Sequence, residues 1–410
     1  MLTTDNVEDN PLKKNYGKNI LPLSAFDNDN FIGTRPLEIL FFYKKNLPIL
    51  KLKESLLKTI AHYNLFSSRL IMLDEHRYAL QYCTDGAIAN DLPPVDAVFD
   101  NRHIENLNKR MVHVQTLPGE PLFAVTGIPF RNGILAGISC SHAVADGISL
   151  LLFLYAWMCI TDGKNFLPPS PQRLFQGPPV NFDQTDRAFV PPLSALSDAI
   201  RKKVEIDNIA EVFTATEYFT DDFLNDIKAD AKKEQCEISN HQIMTTFLLK
   251  KYHSKLLPDT DRIVLKNPIN LRDIHPDLDP MYIGSSNFNN FIQFTKEEID
   301  SLSIPQISSR IKKSIADVRN ENYAREIAYL SPYGIEINMD VFRRNRPPFS
   351  VETNVVSSNL THLNDLESMF VGSETGSILH IGLAIQTGFT MLKEKSGRIF
   401  AQITSRHPLT

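Results

Sequence analysis

The sequence predicts an α/β chain of two domains, each a mixed sheet carrying helices. Three observations lead there. At 410 residues the chain is about 2.7 times an ordinary domain of ~150 residues, which favours two domains. Short apolar runs of strand length alternate with stretches of helical spacing in both halves, and no internal repeat is present. Seven prolines fall between Leu167 and Leu193, which marks an extended connection rather than a helix. The expected division is 1–185 and 209–410, joined by a crossover over 186–208.

Residues 1 to about 20 are polar and expected to be loosely held. Ile39–Tyr43 is apolar and rich in aromatics, a buried strand. From Leu50 to Tyr63 the residues Leu52, Leu56, Leu57, Ile60 and Ala61 recur at helical spacing. Arg69–Met72 and Tyr78–Tyr82 have strand character, and Asn106–Val112 a moderate helical pattern. Leu122–Ile128 and Ile134–Cys140 flank a stretch holding Pro129, Arg131, Asn132 and Gly133, which signals a hairpin. Gly147–Thr161 is apolar almost all round, so this helix is buried on most faces. In the second half Asn225–Ala231 and Asn240–Tyr252 are helical, the latter opened by Ser239 as a cap, and Ile304–Arg319 is amphipathic. Ile263–Asn270, Phe288–Phe294, Ser350–Val356, Gly376–Gln386 and Gly388–Leu392 read as strands.

Composition excludes several classes. Forty-three basic against 48 acidic residues leave a net charge of -5, which argues against a partner held by bulk positive charge, nucleic acid above all. Met1–Asn10 has no basic residue and no apolar core, unlike a secretory signal. The most apolar run, Ile148–Ile160, falls short of the ~20 residues a membrane helix needs, so no membrane span is expected. Cys83, Cys140, Cys159 and Cys236 show no C-x-x-C spacing, so neither a zinc site nor a disulfide framework is suggested. A reducing cytoplasm is the simplest home.

The informative segment is Cys140-Ser141-His142-Ala143-Val144-Ala145-Asp146-Gly147, where an apolar strand runs into a His, three small apolar residues, an Asp and a Gly before an apolar helix. The small residues permit a tight loop, and Gly147 suggests a turn that a Cβ would hinder. A neutral imidazole at a strand end is a natural base for taking a proton from an alcohol or amine near pH 7. Other readings compete. His-x-x-x-Asp also arises by chance, and an i, i+4 pair can ligate a metal, although no second pair of ligands stands at matching spacing. Cys140 is a nucleophile candidate, but at the end of an apolar strand it reads better as a small hydrophobe.

Over most of the chain the sequence resembles the BAHD-type acyl-CoA-dependent acyltransferases and, more broadly, the superfamily that includes condensation domains. The resemblance rests on Gly137–His142 through Asp146-Gly147, followed by Phe153 and Trp157, which is similar to the HxxxDG region. Leu21–Asp27 looks like the opening LS-x-x-D element, Leu50–Leu56 with Tyr63–Leu70 the first helix and its strand, and Pro121-Leu122 the start of the strand leading to the hairpin. Asn270-Leu271-Arg272 resembles the Arg-containing strand, and Asp279–Gly284 the P-x-x-Y-x-G loop, one residue shorter. One departure stands out. Ser368-Met369-Phe370-Val371-Gly372 falls where the family carries DFGWG, with only the final Gly in common. Val356–Asn359 is instead similar to the S-N-x-G element of other superfamily members.

The resemblance implies two similar α/β domains with a solvent channel between them and His142 at its middle. It implies an acyl-CoA co-substrate, with an acyl carrier protein as the alternative donor, and a small-molecule alcohol or amine acceptor. No permanently bound cofactor or metal is implied. His142 would act as general base without a covalent intermediate. Asp146 would pair with Arg272 rather than form a relay. Ser358 and Asn359 are candidate oxyanion donors by motif order, and equally ordinary residues of a strand-end turn. A non-catalytic binding homologue is the remaining reading.

Overall fold

The apolar runs of the two halves collect mainly into two large sheets. The structure, a computed structural model, describes residues 19–23, 27, 36–44, 48–73, 78–100, 110–170, 213–272, 274–275, 278–319, 354–361, 376–382, 387–393 and 397–409. The strands are β1 (Ile20–Pro22), β2 (Leu37–Tyr43), β3 (Ser68–Met72), β4 (Tyr78–Tyr82), β5 (Ala87–Asp91), β6 (Phe123–Phe130), β7 (Gly133–Cys140), β8 (Phe213–Phe219), β9 (Arg262–Asn270), β10 (Asn287–Thr295), β11 (Asn354–Asn359), β12 (Gly376–Gly382), β13 (Gly388–Lys393) and β14 (Ile399–Ser405). The α-helices are α1 (Ile49–His62), α2 (Gly147–Asp162), α3 (Asp221–Lys233), α4 (Asn240–Leu256), α5 (Lys296–Ser301) and α6 (Ile304–Val318). The expected crossover over 186–208 and most of the expected helix Asn106–Val112 lie outside the described residues.

The N-terminal sheet runs β12-β2-β7-β6-β5, and a small β1-β4-β3 sheet accompanies it. Strand β12 comes from late in the chain, yet it pairs antiparallel with β2. Every residue of β2 and β7 is buried. Helix α2 explains its own composition: eleven of its sixteen residues are buried, so an apolar surface all round fits a helix packed on nearly every side. Its C-terminus closes on Gly163 in the left-handed region, φ 69°. Trp157, fully buried, donates its indole N–H to the Leu52 carbonyl at 3.2 Å and to Ser55 Oγ at 3.1 Å, which ties α2 to α1.

The second sheet runs β10-β9-β11-β13-β14-β8. Alternation sorts its two faces. Ile263, Leu265, Val355, Phe389, Met391, Ala401 and Ile403 join one core with Leu248 and Leu249 of α4 and Ile307 and Ile311 of α6. The opposite face carries Lys266, Ser358, Thr390 and Gln402, through the pairs Lys266–Val356, Ser358–Thr390 and Thr390–Gln402. This face turns toward the N-terminal half, because Leu360 and Leu392 pack against the core built around α1 and α2. Gly388 lies so close to β11 that a Cβ would stand 2.2 Å from the Val356 carbonyl oxygen.

Several boundaries differ from the sequence reading. The strand expected over Ser350–Val356 is described over Asn354–Asn359, with 350–353 outside the described residues, and its parallel neighbour β13 carries it three pairs past Val356. Helix α3 begins at Asp221, capped by Thr220 Oγ1 accepting from the Phe223 N–H, four residues before the expected start. Strands β5, β8 and β14 carry polar residues at alternate or consecutive positions, so no apolar run marked them. In β14 the burial alternates strictly along the strand, the pattern of a sheet with one packed face.

Candidate active site

Strand β7 delivers the His-containing loop to the edge of the second sheet. The loop is built on Ser141, whose N–H donates to the Leu122 carbonyl at 2.8 Å and whose carbonyl accepts from the Val144 N–H at 3.0 Å. Ser141 Oγ accepts from the Ala143 N–H at 3.2 Å and shares a 2.7 Å bond with Thr116 Oγ1. Thr116 ends a segment held across the sheet by Val112 N–H to Thr126 Oγ1 and Val114 N–H to Ser139 Oγ. Ala143, Val144 and Ala145 are fully buried, so their small size is a packing requirement. Gly147 corrects one expectation. It opens α2 without a positive φ, and an added Cβ would meet nothing within 4 Å, so neither sterics nor backbone conformation at this position demands glycine.

His142 retains part of its surface, while its Nδ1 is shut in with no partner among the described residues. Its own carbonyl accepts from Ser285 Oγ at 2.9 Å, a tie from the second half of the chain. Burial, then the nearby ammonium of Lys266, pushes the imidazole pKa down to about 4, against a weaker opposing pull from Asp146. At neutral pH the ring is therefore uncharged and able to accept a proton.

Asp146 faces away from that chemistry. It caps α2 by accepting the Ser149 N–H on Oδ1 at 2.8 Å. Arg272 donates to it through both terminal nitrogens, at 2.7 Å to Oδ2 and 3.1 Å to Oδ1, and the two side chains are only 3% and 4% exposed. The Ser286 N–H and Oγ–H both donate to Oδ2 at 3.1 Å. Arg272 also donates to Ser149 Oγ at 2.8 Å, to the Tyr282 carbonyl at 2.9 Å and to Asn270 Oδ1 at 3.3 Å. Burial alone would raise the Asp146 pKa, but the guanidinium and the Ser149 donor outweigh it and hold the carboxyl below its usual range. The bidentate pair thus fastens the start of α2 to the 282–286 loop, and His142 is held from both sides.

Ser358 and Asn359 part company. Ser358 lies on the face turned toward the N-terminal half and is half-buried. Asn359 is the next residue and so points to the other side; its Oδ1 accepts from both the N–H and the Oγ1–H of Thr361, at 3.1 and 2.7 Å, as a strand-end turn does. Ser357, also on that side, is fixed by Thr245 Oγ1 at 2.7 Å and His241 Nε2 at 3.1 Å. Ser368–Gly372 lies outside the described residues. Sequence reasoning missed Ser149, Ser285, Ser286 and Lys266. The three serines carry no motif of their own, and Lys266 sits in a strand that also holds Arg262, Asn267 and Asn270, so nothing set it apart.

Known proteins place this arrangement. The spermidine coumaroyl-CoA acyltransferase of Arabidopsis thaliana is 22% identical over 329 residues, covering 75% of this chain and 70% of that protein. Among solved structures, TRI101 of F. sporotrichioides complexed with coenzyme A and T-2 superposes with a TM-score of 0.65 at 13% identity, covering 95% of each chain. Vinorine synthase gives a TM-score of 0.63 at 17% identity, covering 95% of this chain and 92% of its own. The Transferase family profile matches residues 10–363, most of the chain. With two α/β sheets facing across a His-bearing loop, and with that match, the protein belongs to the Transferase family, the BAHD acyltransferases.

Proposed function

We propose that this acyltransferase moves an acyl group from an acyl-CoA thioester to the hydroxyl or amine of a small molecule, with His142 as general base. The observation that carries the reading is the neutral, partly accessible imidazole on the loop between two sheets, whose neighbouring Asp146 is engaged by Arg272. The acceptor O–H or N–H gives its proton to the ring, its oxygen or nitrogen bonds to the thioester carbonyl carbon, and the resulting oxyanion collapses with loss of the thiolate. That thiolate takes the proton back from the imidazolium, so the base is regenerated and no covalent enzyme intermediate forms. General-base catalysis contributes roughly 10² to 10⁴-fold, and the rest comes from holding the two substrates in line. Ser358 is the better-placed oxyanion donor of the two sequence candidates, since Asn359 is committed to its turn. The name of the spermidine relative and the coenzyme A in the TRI101 complex support the donor class. We further propose the division into 1–185 and 209–410, with β12 as the strand lent by the second part to the first sheet.

The test is thiol release from acetyl-CoA and longer acyl-CoAs over a panel of alcohols and amines, with an acyl carrier protein thioester as a parallel donor. Acceptor-dependent release from acyl-CoA, lost in His142→Ala, is the expected result. Release only from the carrier protein would overturn the donor assignment. Tight binding of acyl-CoA with no turnover over the whole panel would make the protein a binding homologue.

A further inference from the structure

Asp27 ends the opening Leu21–Asp27 element of the chain, and it is fully buried. A polar group taken out of water is costly unless it is hydrogen-bonded. Its Oδ1 accepts from the Ser285 N–H at 2.8 Å, across 258 positions of sequence. Ser285, itself fully buried, sends its Oγ–H to the His142 carbonyl at 2.9 Å. One residue thus meets Asp27 with its backbone and holds His142 with its side chain. The next residue serves the other end of the loop. Ser286 donates its N–H to Asp146 Oδ2 at 3.1 Å, and its carbonyl accepts from the Leu271 N–H at 2.7 Å. Two consecutive N–H groups are therefore given to two buried carboxyls, one from the start of the chain and one from the His142–Asp146 loop.

The two ends of that loop are held unequally. Asp146 has Arg272, both Ser286 donors and the Ser149 N–H. The His142 Nδ1 is shut in with no hydrogen-bond partner among the described residues, so no bond at that nitrogen sets the direction of the ring. Backbone and packing set it instead, and the Ser285 hydroxyl is a directional bond to that backbone. A hydroxyl can hold a carbonyl in place only if its own main chain is fixed, which is what the Asp27 carboxyl does to Ser285. Small displacements matter at a reacting centre, where about 1 Å of misplacement can cost about a hundredfold in rate. Resting on the acyl-transfer reading above, we infer that Asp27 is a positioning residue: by holding the Ser285 N–H it fixes the hydroxyl that anchors the His142 carbonyl, and so sets the direction of the imidazole.

The experiment compares wild type, Asp27→Ala, Ser285→Ala and the double variant. Thiol release is measured with the acyl-CoA and acceptor that the wild type uses best. The imidazole signal of His142 is followed by NMR in histidine-labelled protein, assigned by its loss in His142→Ala. Each single variant should lower kcat by about tenfold or more, with KM for acyl-CoA changed by less than about threefold, and should move the His142 signal. Because Asp27 acts through the Ser285 hydroxyl, the double variant should match Ser285→Ala in kcat within about twofold. A merely structural Asp27 would multiply the two losses, and that outcome would overturn the inference. Wild-type kcat and an unmoved His142 signal in Ser285→Ala would overturn it as well. Asp27→Asn keeps an oxygen for the Ser285 N–H and should stay within about threefold of wild type; a loss equal to that of Asp27→Ala would also count against the inference. Should Asp27→Ala not fold, Asp27→Ser, one atom shorter than the carboxyl, takes its place in the same comparison. A wild type that releases no thiol with any acceptor would overturn the acyl-transfer reading alone, and the His142 signal in the four proteins then decides the positioning.

Discussion

The buried ion pair between Asp146 and Arg272 invites the most quantitative perturbation. Asp146→Asn preserves the side-chain shape and keeps an oxygen for the Ser149 N–H cap. It replaces the second carboxylate oxygen, which accepts from Arg272 and from two Ser286 donors, with an N–H₂ group that can accept from none of them. Arg272 cannot shed its proton, and at 4% exposure it has little water to turn to. Stranding one partner of such a pair costs about 3–5 kcal/mol. At about 2–4 °C per kcal/mol for a unit of 150–250 residues, the melting midpoint should fall by roughly 6–20 °C. Arg272→Met should cost a similar amount by stranding the carboxylate. The double variant removes both charges, so its loss should be smaller than the sum of the two by at least about 1 kcal/mol. Circular dichroism melts of the four proteins measure this, with thiol release recorded at a temperature where each is folded. Strictly additive losses, or a shift of a degree or two for Asp146→Asn, would refute the reasoning.

His142→Ala should abolish acyl transfer with the melting midpoint little changed; activity within a few-fold of wild type would reassign the base. With the imidazole pushed down to about 4, the acid limb of kcat/KM should lie near pH 4, and a limb at 6.5 would point to a different group. Because the folded-state pKa is below the unfolded value, the unfolded chain binds the proton first as pH drops from 6.5 to about 4. Stability should therefore fall through that window, and urea titrations of His142→Gln should show a flatter dependence. Ser358→Ala should lower kcat by about a hundredfold or more at nearly constant KM, as loss of one oxyanion donor does. Asn359→Ala should act chiefly on stability through its turn. Equal kcat losses in both would mean that Asn359 reaches the reacting carbonyl after all.

The two halves respond differently to reading from sequence. Local chemistry is visible along the chain: the helical spacing of Leu52, Leu56 and Ile60, the hairpin around Gly133, the apolar surround of α2, and the strand–His–small-residue–Asp pattern that locates His142. Each of these depends on neighbours within a few positions, so sequence order and spatial order agree. Strands β5, β8 and β14 escaped because polar residues keep every apolar run in them to three residues or fewer, and a sheet partner distant in sequence decides that such a segment is a strand at all. Gly147 invited an argument from backbone freedom, and the folded chain shows an ordinary helix start. For the site, the residue types in the motif offered His142 as a candidate base, and the family resemblance implied the pair of Asp146 with Arg272. Only the tertiary structure decided their surroundings. It brings Ser285 and Ser286 across from about 140 residues away, turns Ser358 toward the N-terminal half and Asn359 into a turn, and adds the charge of Lys266 to burial in lowering the His142 pKa. Those relations arise from strand register and the packing of one sheet against another, and both are set by contacts between residues far apart in the chain.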